Sequence, residues 1–259
     1  CVAAFLTSCV EERFEFQPQD VDLPVSISSV YPVSGAVTRA DANGFVTDDE
    51  VGIFIVDYNK DGTSGELKMN GVRAANALFT YNGNTWDAPY QIYWANAKTP
   101  ADFYGYYPYD SAMDAPTAYS FSVNSLQDSD GSTTTGGAGY ESSDLLWAKA
   151  EKVSPTTQAI NLLYRHLMAG ITVSLEMGTG FTAEEWATLS KTVVIGDTEL
   201  SGTVNLQNGS VSVGEGNRKK ITPLLYNDTW RAVVMPQTVA AGKELIIIDV
   251  AGQTYTFVK

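Results

Sequence analysis

Short apolar runs, each closed by Gly, Asn, Asp or Pro, recur along this chain from residue 51 to its end. Val51–Val56 (VGIFIV), Phe103–Tyr107, Ser120–Val123, Ala159–Tyr164, Gly170–Leu175, Thr192–Ile195, Arg231–Met235, Glu244–Val250 and Thr254–Val258 are rich in β-branched or aromatic residues. Short strands at that spacing predict an all-β chain of the sandwich type. Helical periodicity is credible at one place, where Thr182 and Glu185 form a capping box ahead of Trp186 and Leu189. Between Gln127 and Ser143 a polar stretch around DSDGSTTTGGAG predicts a long mobile loop.

The segment before the first strong strand has a period of two. Val21, Leu23, Val25 and Ile27 alternate with Asp22, Pro24, Ser26 and Ser28, which puts the apolar side chains on one face of a strand. Pro24 has no N–H to give a ladder, so this strand belongs at a sheet edge. At about 1.5 to 3 kcal/mol per buried aliphatic side chain, the face contributes roughly 6 to 12 kcal/mol as an upper bound. The following YPVSGAVTRADANG has the composition of an exposed loop, and Arg39 is the sole basic residue between Arg13 and Lys60. A trypsin-like protease cutting between Arg39 and Ala40 would sever the strand from its domain.

Composition narrows the chemistry. The 259 residues are 44% hydrophobic and 18% charged, enough apolar content for a real core. Thirty acidic against 16 basic residues give a net charge of −14, which opposes nucleic-acid binding. With one histidine, His166, and two cysteines, Cys1 and Cys9, zinc clusters, a dithiol centre and a disulfide scaffold lack their residues. Asp57, Asn59, Asp61 and Gly62 match the opening of a calcium loop, but its twelfth position is Lys68 where a bidentate Glu is needed, so NKDG reads as a hairpin turn. Gly178–Phe181 (GTGF) and Gly214–Asn217 (GEGN) lack the Lys of a phosphate loop and also read as turns. His166 reads as a packed or hydrogen-bonded residue, and nothing selects a catalytic carboxylate pair. The expectation is therefore a non-enzyme without cofactor or metal. The densest aromatic cluster is Trp86, Tyr90, Tyr93, Trp94, Phe103, Tyr104, Tyr106, Tyr107 and Tyr109, a stacking platform for a sugar if exposed and core packing if not.

The opening CVAAFLTSCVEE resembles a bacterial lipobox. That resemblance implies that residues 1–8 are the remnant of a signal peptide, that Cys9 is the lipidated first residue of the mature chain, and that 9–20 form a linker. Glu11 and Glu12 resemble the acidic signal that exports lipoproteins of Bacteroidota to the cell surface.

The remaining motifs resemble the fimbrillins of the type V pili of Bacteroidota, the Mfa-like or fimbrillin-like proteins. They are the lipobox cysteine, Thr38–Ala40 (TRA) followed by Asp48–Phe54 (DDEVGIF), Tyr93–Trp94, Asp102–Tyr109 (DFYGYYPY), Asp144–Ala148 (DLLWA), Tyr164–Leu175 (YRHLMAGITVSL) and Met235–Gln237 (MPQ), in the family's order over nearly the whole chain. The resemblance implies two tandem transthyretin-like β-sandwiches, residues 21–164 and a truncated 165–259, with the short helix in the second. It also implies an outer-membrane lipoprotein precursor cut after an arginine by a trypsin-like protease, which joins other fimbrial subunits in a fimbrium by exchange of its first strand. The displaced strand would carry Val21, Leu23, Val25 and Ile27. The alternative is a carbohydrate-binding surface lipoprotein on a similar sandwich.

Overall fold

The computed structural model describes residues 22–30, 44–128 and 139–259. In chain order the strands are β1 (Ile27–Val30), β2 (Glu50–Asp57), β3 (Ala74–Tyr81), β4 (Trp86–Asp87), β5 (Ala101–Tyr107), β6 (Tyr119–Ser122), β7 (Leu146–Val153), β8 (Ile160–Leu163), β9 (Arg165–His166), β10 (Ala169–Ser174), β11 (Lys191–Glu199), β12 (Ser201–Asn205), β13 (Ser210–Val213), β14 (Arg218–Ile221), β15 (Leu224–Tyr226), β16 (Thr229–Val234), β17 (Glu244–Val250) and β18 (Gln253–Val258). Helix among the described residues is limited to α1 (Ala183–Thr188) and one 3₁₀ turn at Glu141–Ser143. The chain is all-β, as its short apolar runs predict.

A six-stranded antiparallel sheet, ordered β4-β3-β2-β5-β7-β9, is the central layer. Its two central strands, β2 and β5, are buried on both faces, which explains why they read as continuous apolar runs instead of alternating ones. Val51, Ile53, Ile55, Phe103, Leu146 and Ala148 face one core, shared with Val25, Ile27, Ile160 and Leu162. Phe54, Val56, Tyr104, Tyr106 and Trp147 face a second core, shared with Val193, Ile195, Ile221, Trp230 and Met235. The second core is closed by three smaller sheets, β10-β16-β15, β14-β11-β17-β18 and β13-β12-β6. β6, which precedes residue 165, pairs antiparallel with β12, which follows it.

Two glycines of the six-stranded sheet are required by close approach. A Cβ on Gly52 would lie 2.1 Å from Cε1 of Tyr106, the residue opposite it on β5, and one on Gly105 would lie 2.4 Å from the Tyr164 hydroxyl. The capping box of α1 is formed: the Glu185 N–H donates to Thr182 Oγ1 at 3.2 Å and the Thr182 N–H to Glu185 Oε2 at 2.8 Å.

The stretch read as one mobile loop is pinned at both ends. Gln127 and Ser143 are buried. The Gln127 amide donates to the Val233 carbonyl at 2.8 Å and accepts from the Val233 N–H at 2.8 Å, taking the place of a strand neighbour for β16. Residues 129–138 of that stretch lie outside the described residues.

Candidate functional site

The period-two segment lies across the first core. Val25 and Ile27 are each 5% exposed, Leu23 is half-buried against them, and Asp22, Pro24 and Ser26 face solvent. Val21, the fourth member of the apolar face, lies outside the described residues, as do Cys9, Glu11, Glu12, Arg39 and Ala40.

Successive residues of an extended chain offer their backbone groups to opposite edges, and this segment uses both. On one edge, the Val25 N–H donates to the Ile92 carbonyl at 2.8 Å and the Leu23 carbonyl accepts from the Trp94 N–H at 2.9 Å. On the other, the Ser26 carbonyl accepts from the Ile160 N–H at 2.8 Å, after which β1 runs parallel to β8 with Ile27 opposite Ile160 and Ser29 opposite Leu162. At Pro24 itself the chain is paired on one side only, with Tyr93, in keeping with the edge position expected from its missing N–H. Among the described residues β1 has β8 alone as its ladder partner, and Leu23 and Val25 before it are held on the opposite side. Pro24 shares the β8 side with Ser26 and lies ahead of the first residue paired there, so its missing N–H costs no ladder bond.

The groove around this segment is aromatic. Phe79, Trp86, Ile92 and Trp94 belong to the same core cluster. Phe45 packs edge-on against Trp86, Tyr107 and Tyr164, with ring centroids 5.0, 5.6 and 5.2 Å apart. A cleft of about 300 Å³ opens beside the strand, lined by Val25, Ser26, Phe79, Trp86, Tyr90 and Ile92 among others. Two groove side chains reach the segment: the Trp86 indole N–H donates to Ser29 Oγ at 2.9 Å, and the Gln91 amide donates to the Val25 carbonyl at 3.3 Å. Sequence reading stopped at Ser28 and missed the first of these, although Ser29 continues the inward-facing odd positions.

The other candidates have structural roles. Trp86, Trp94, Phe103, Tyr104, Tyr106 and Tyr107 are buried and Tyr109 is half-buried, leaving Tyr90 at 57% and Tyr93 at 42% exposure. A flat row of rings for a sugar is therefore missing among these nine. Burial pushes the Tyr104, Tyr106, Tyr119 and Tyr164 hydroxyls well above the usual phenol range. The stretch 57–64 is a turn: the Asn59 N–H donates to the Thr63 carbonyl at 2.8 Å, the Thr63 N–H to Asp61 Oδ1 at 2.9 Å, and Arg73 Nη2 reaches Asp57 Oδ2 at 2.5 Å. His166 Nδ1 stands 2.9 Å from the buried Asp144 carboxylate. In the 214–217 loop the Asn217 N–H donates at 3.0 Å to Glu199, so the chain's own carboxylate fills the place of an anion.

A family model described as fimbrillin-like matches residues 38–259. Among solved structures, chains named "putative cell adhesion protein" from Bacteroides uniformis and Bacteroides ovatus are similar, each with a TM-score of 0.64. Their identities are 21% and 17%, and the alignments cover 92% and 91% of this chain and 85% of each of theirs. A fimbrial protein from Bacteroides vulgatus has a TM-score of 0.52 at 12% identity, covering 91% of this chain and 87% of that one. At such identities the likeness is one of fold. No curated protein matches. Since the family model spans far more than half of the sequence, the chain belongs to the fimbrillin-like family.

Proposed function

We propose that this chain is a structural subunit of a cell-surface fimbria, assembled when the segment Val21–Ile27 is replaced by an extended strand of another subunit. In this reading Cys9 carries the lipid that holds the precursor at the outer membrane, and a trypsin-like protease cuts between Arg39 and Ala40. The observation that carries the reading is the seat of the segment. Leu23, Val25 and Ile27 complete a core, yet the backbone around them is held by a few bonds to Gln91, Ile92, Trp94 and one short parallel strand. Its departure would expose an apolar groove flanked by unpaired ladder groups, the geometry that strand addition fills. A whole domain is typically stable by about 5 to 15 kcal/mol, so an empty groove of this size would bind a substitute strongly.

Limited trypsin digestion of the folded precursor tests the reading. The first cut is expected after Arg39, with the N-terminal peptide initially retained and fibres forming once it is exchanged. Arg39→Ala is expected to block both cleavage and polymerisation. Fibres formed by Arg39→Ala, or a precursor cut first elsewhere, would refute the proteolytic gate. Intact-mass measurement of membrane-extracted protein tests the anchor, with an unmodified Cys9 as the refuting result.

A further inference from the structure

We propose that the groove selects its incoming strand by a polar rule as well as an apolar one: the strand must bring a hydrogen-bond acceptor to the place now held by Ser29. This rests on the strand-replacement reading above and specifies its partner. Ser29 shares the odd, inward-facing parity of Leu23, Val25 and Ile27. Its three predecessors on that face meet one apolar cluster, whereas Ser29 Oγ accepts from the Trp86 indole at 2.9 Å. Trp86 is 7% exposed, and Phe45 and Tyr81 stand against it with ring centroids 5.0 and 5.1 Å away. When the native strand leaves, the indole N–H loses its partner in a place that an apolar substitute would seal from water. A buried donor without an acceptor is costly, more so than the bond is worth when made.

The required partner is therefore an extended segment of a second subunit with three alternate apolar residues followed, two positions on, by Ser, Thr or another short acceptor. A segment entering with the reverse polarity would present the acceptor first. The places of Asp22, Pro24 and Ser26 face solvent and are not selected.

The test uses the full chain with a site for a sequence-specific protease in place of residues 37–41, so that strand release does not depend on Arg39. After cleavage, labelled peptides of residues 22–30 are exchanged into the groove: the native sequence, Ser29→Thr and Ser29→Ala. The native and Ser29→Thr peptides are expected to bind alike, and Ser29→Ala at least about 10-fold more weakly, equivalent to about 1.4 kcal/mol. In the Trp86→Phe protein, which has no donor, the Ser29→Ala penalty is expected to vanish. Should Trp86→Phe not fold, protection of the Trp86 indole proton from solvent exchange gives the same comparison, present with the native peptide and lost with Ser29→Ala. Exchange of all three peptides with equal affinity overturns this inference and leaves strand replacement standing. If no peptide exchanges, both fall together.

Discussion

Ile27→Ala weighs how much the short strand contributes. Ile27 is almost fully buried, lies opposite Ile160 on β8, and shares a core with Val51, Ile53 and Leu162. Removing three carbons forfeits about 2.5 kcal/mol of transfer free energy at about 0.8 kcal/mol each. The cavity left behind raises the cost into the range of about 2 to 5 kcal/mol. Because the strand has neighbours on only part of its length, it collapses onto the gap more easily than a central strand, and about 3 kcal/mol is expected. For a chain of this size that lowers Tm by roughly 6 to 12 °C. The assay is denaturant unfolding paired with native-state hydrogen exchange at the Ile160 and Trp94 amides, which donate to Ser26 and Leu23. Both amides are expected to open more readily, while amides of β5 follow global unfolding only. Ser26→Ala, on the solvent side, is the control, expected within about 0.5 kcal/mol of the parent. A cost below 1 kcal/mol for Ile27→Ala, or one matched by Ser26→Ala, would refute the claim that this face completes the core.

Three further outcomes follow. Gln127→Ala removes both the acceptor for the Val233 N–H and the donor to its carbonyl, and is expected to cost about 2 to 4 kcal/mol by denaturant unfolding. Gly105→Ala drives a methyl into the Tyr164 ring and the Leu162 side chain and is expected to cost about 1 to 3 kcal/mol in the same assay. Stability is expected to hold at neutral pH and fall above about pH 10. The buried Tyr104, Tyr106 and Tyr164 and the half-buried Tyr119 have native-state pKa values raised by desolvation, so above the unfolded value of a phenol the unfolded chain sheds protons that the native one keeps. Tyrosinate absorbance for these residues should appear together with loss of β circular dichroism; ionisation without unfolding would contradict their burial.

Local pattern revealed strands where burial is simple. β2 is legible because both of its faces are apolar, and Leu23 to Ile27 because one is. β3 (AANALFTY) was hidden by its Ala and Asn content; Asn76 takes a positive φ of 48° next to the bulge between Ile53 and Ile55, where its side chain bonds Tyr106 and the Asp110 carbonyl. β7 (LWAKAEKV) reads as charged because its second half is partly exposed, with Lys149 lying over the Tyr104 ring. Its strand state comes from β5 and β9 on either side, a long-range fact. The same limit explains the site. Period two showed which side chains point inward, but the parallel run beside β8, the contact with Ile92 and Trp94, and the bond from Trp86 to Ser29 depend on chain far away in sequence. Gln127 was concealed by its polar neighbours, since a loop composition gives no hint that one amide stands in for a strand.

The layered sheet has a mechanical consequence. β5 is bonded along both edges, to β2 and β7, and all seven of its residues are buried, so a force along the chain must shear two ladders at once before this strand moves. Among the described residues β18 is bonded to β17 alone, and its six residues are all exposed, so the same force can unzip it one bond at a time. Tension applied across these elements would therefore spend itself first at the β17–β18 hairpin and last at β5, leaving the central sheet as the part that bears load.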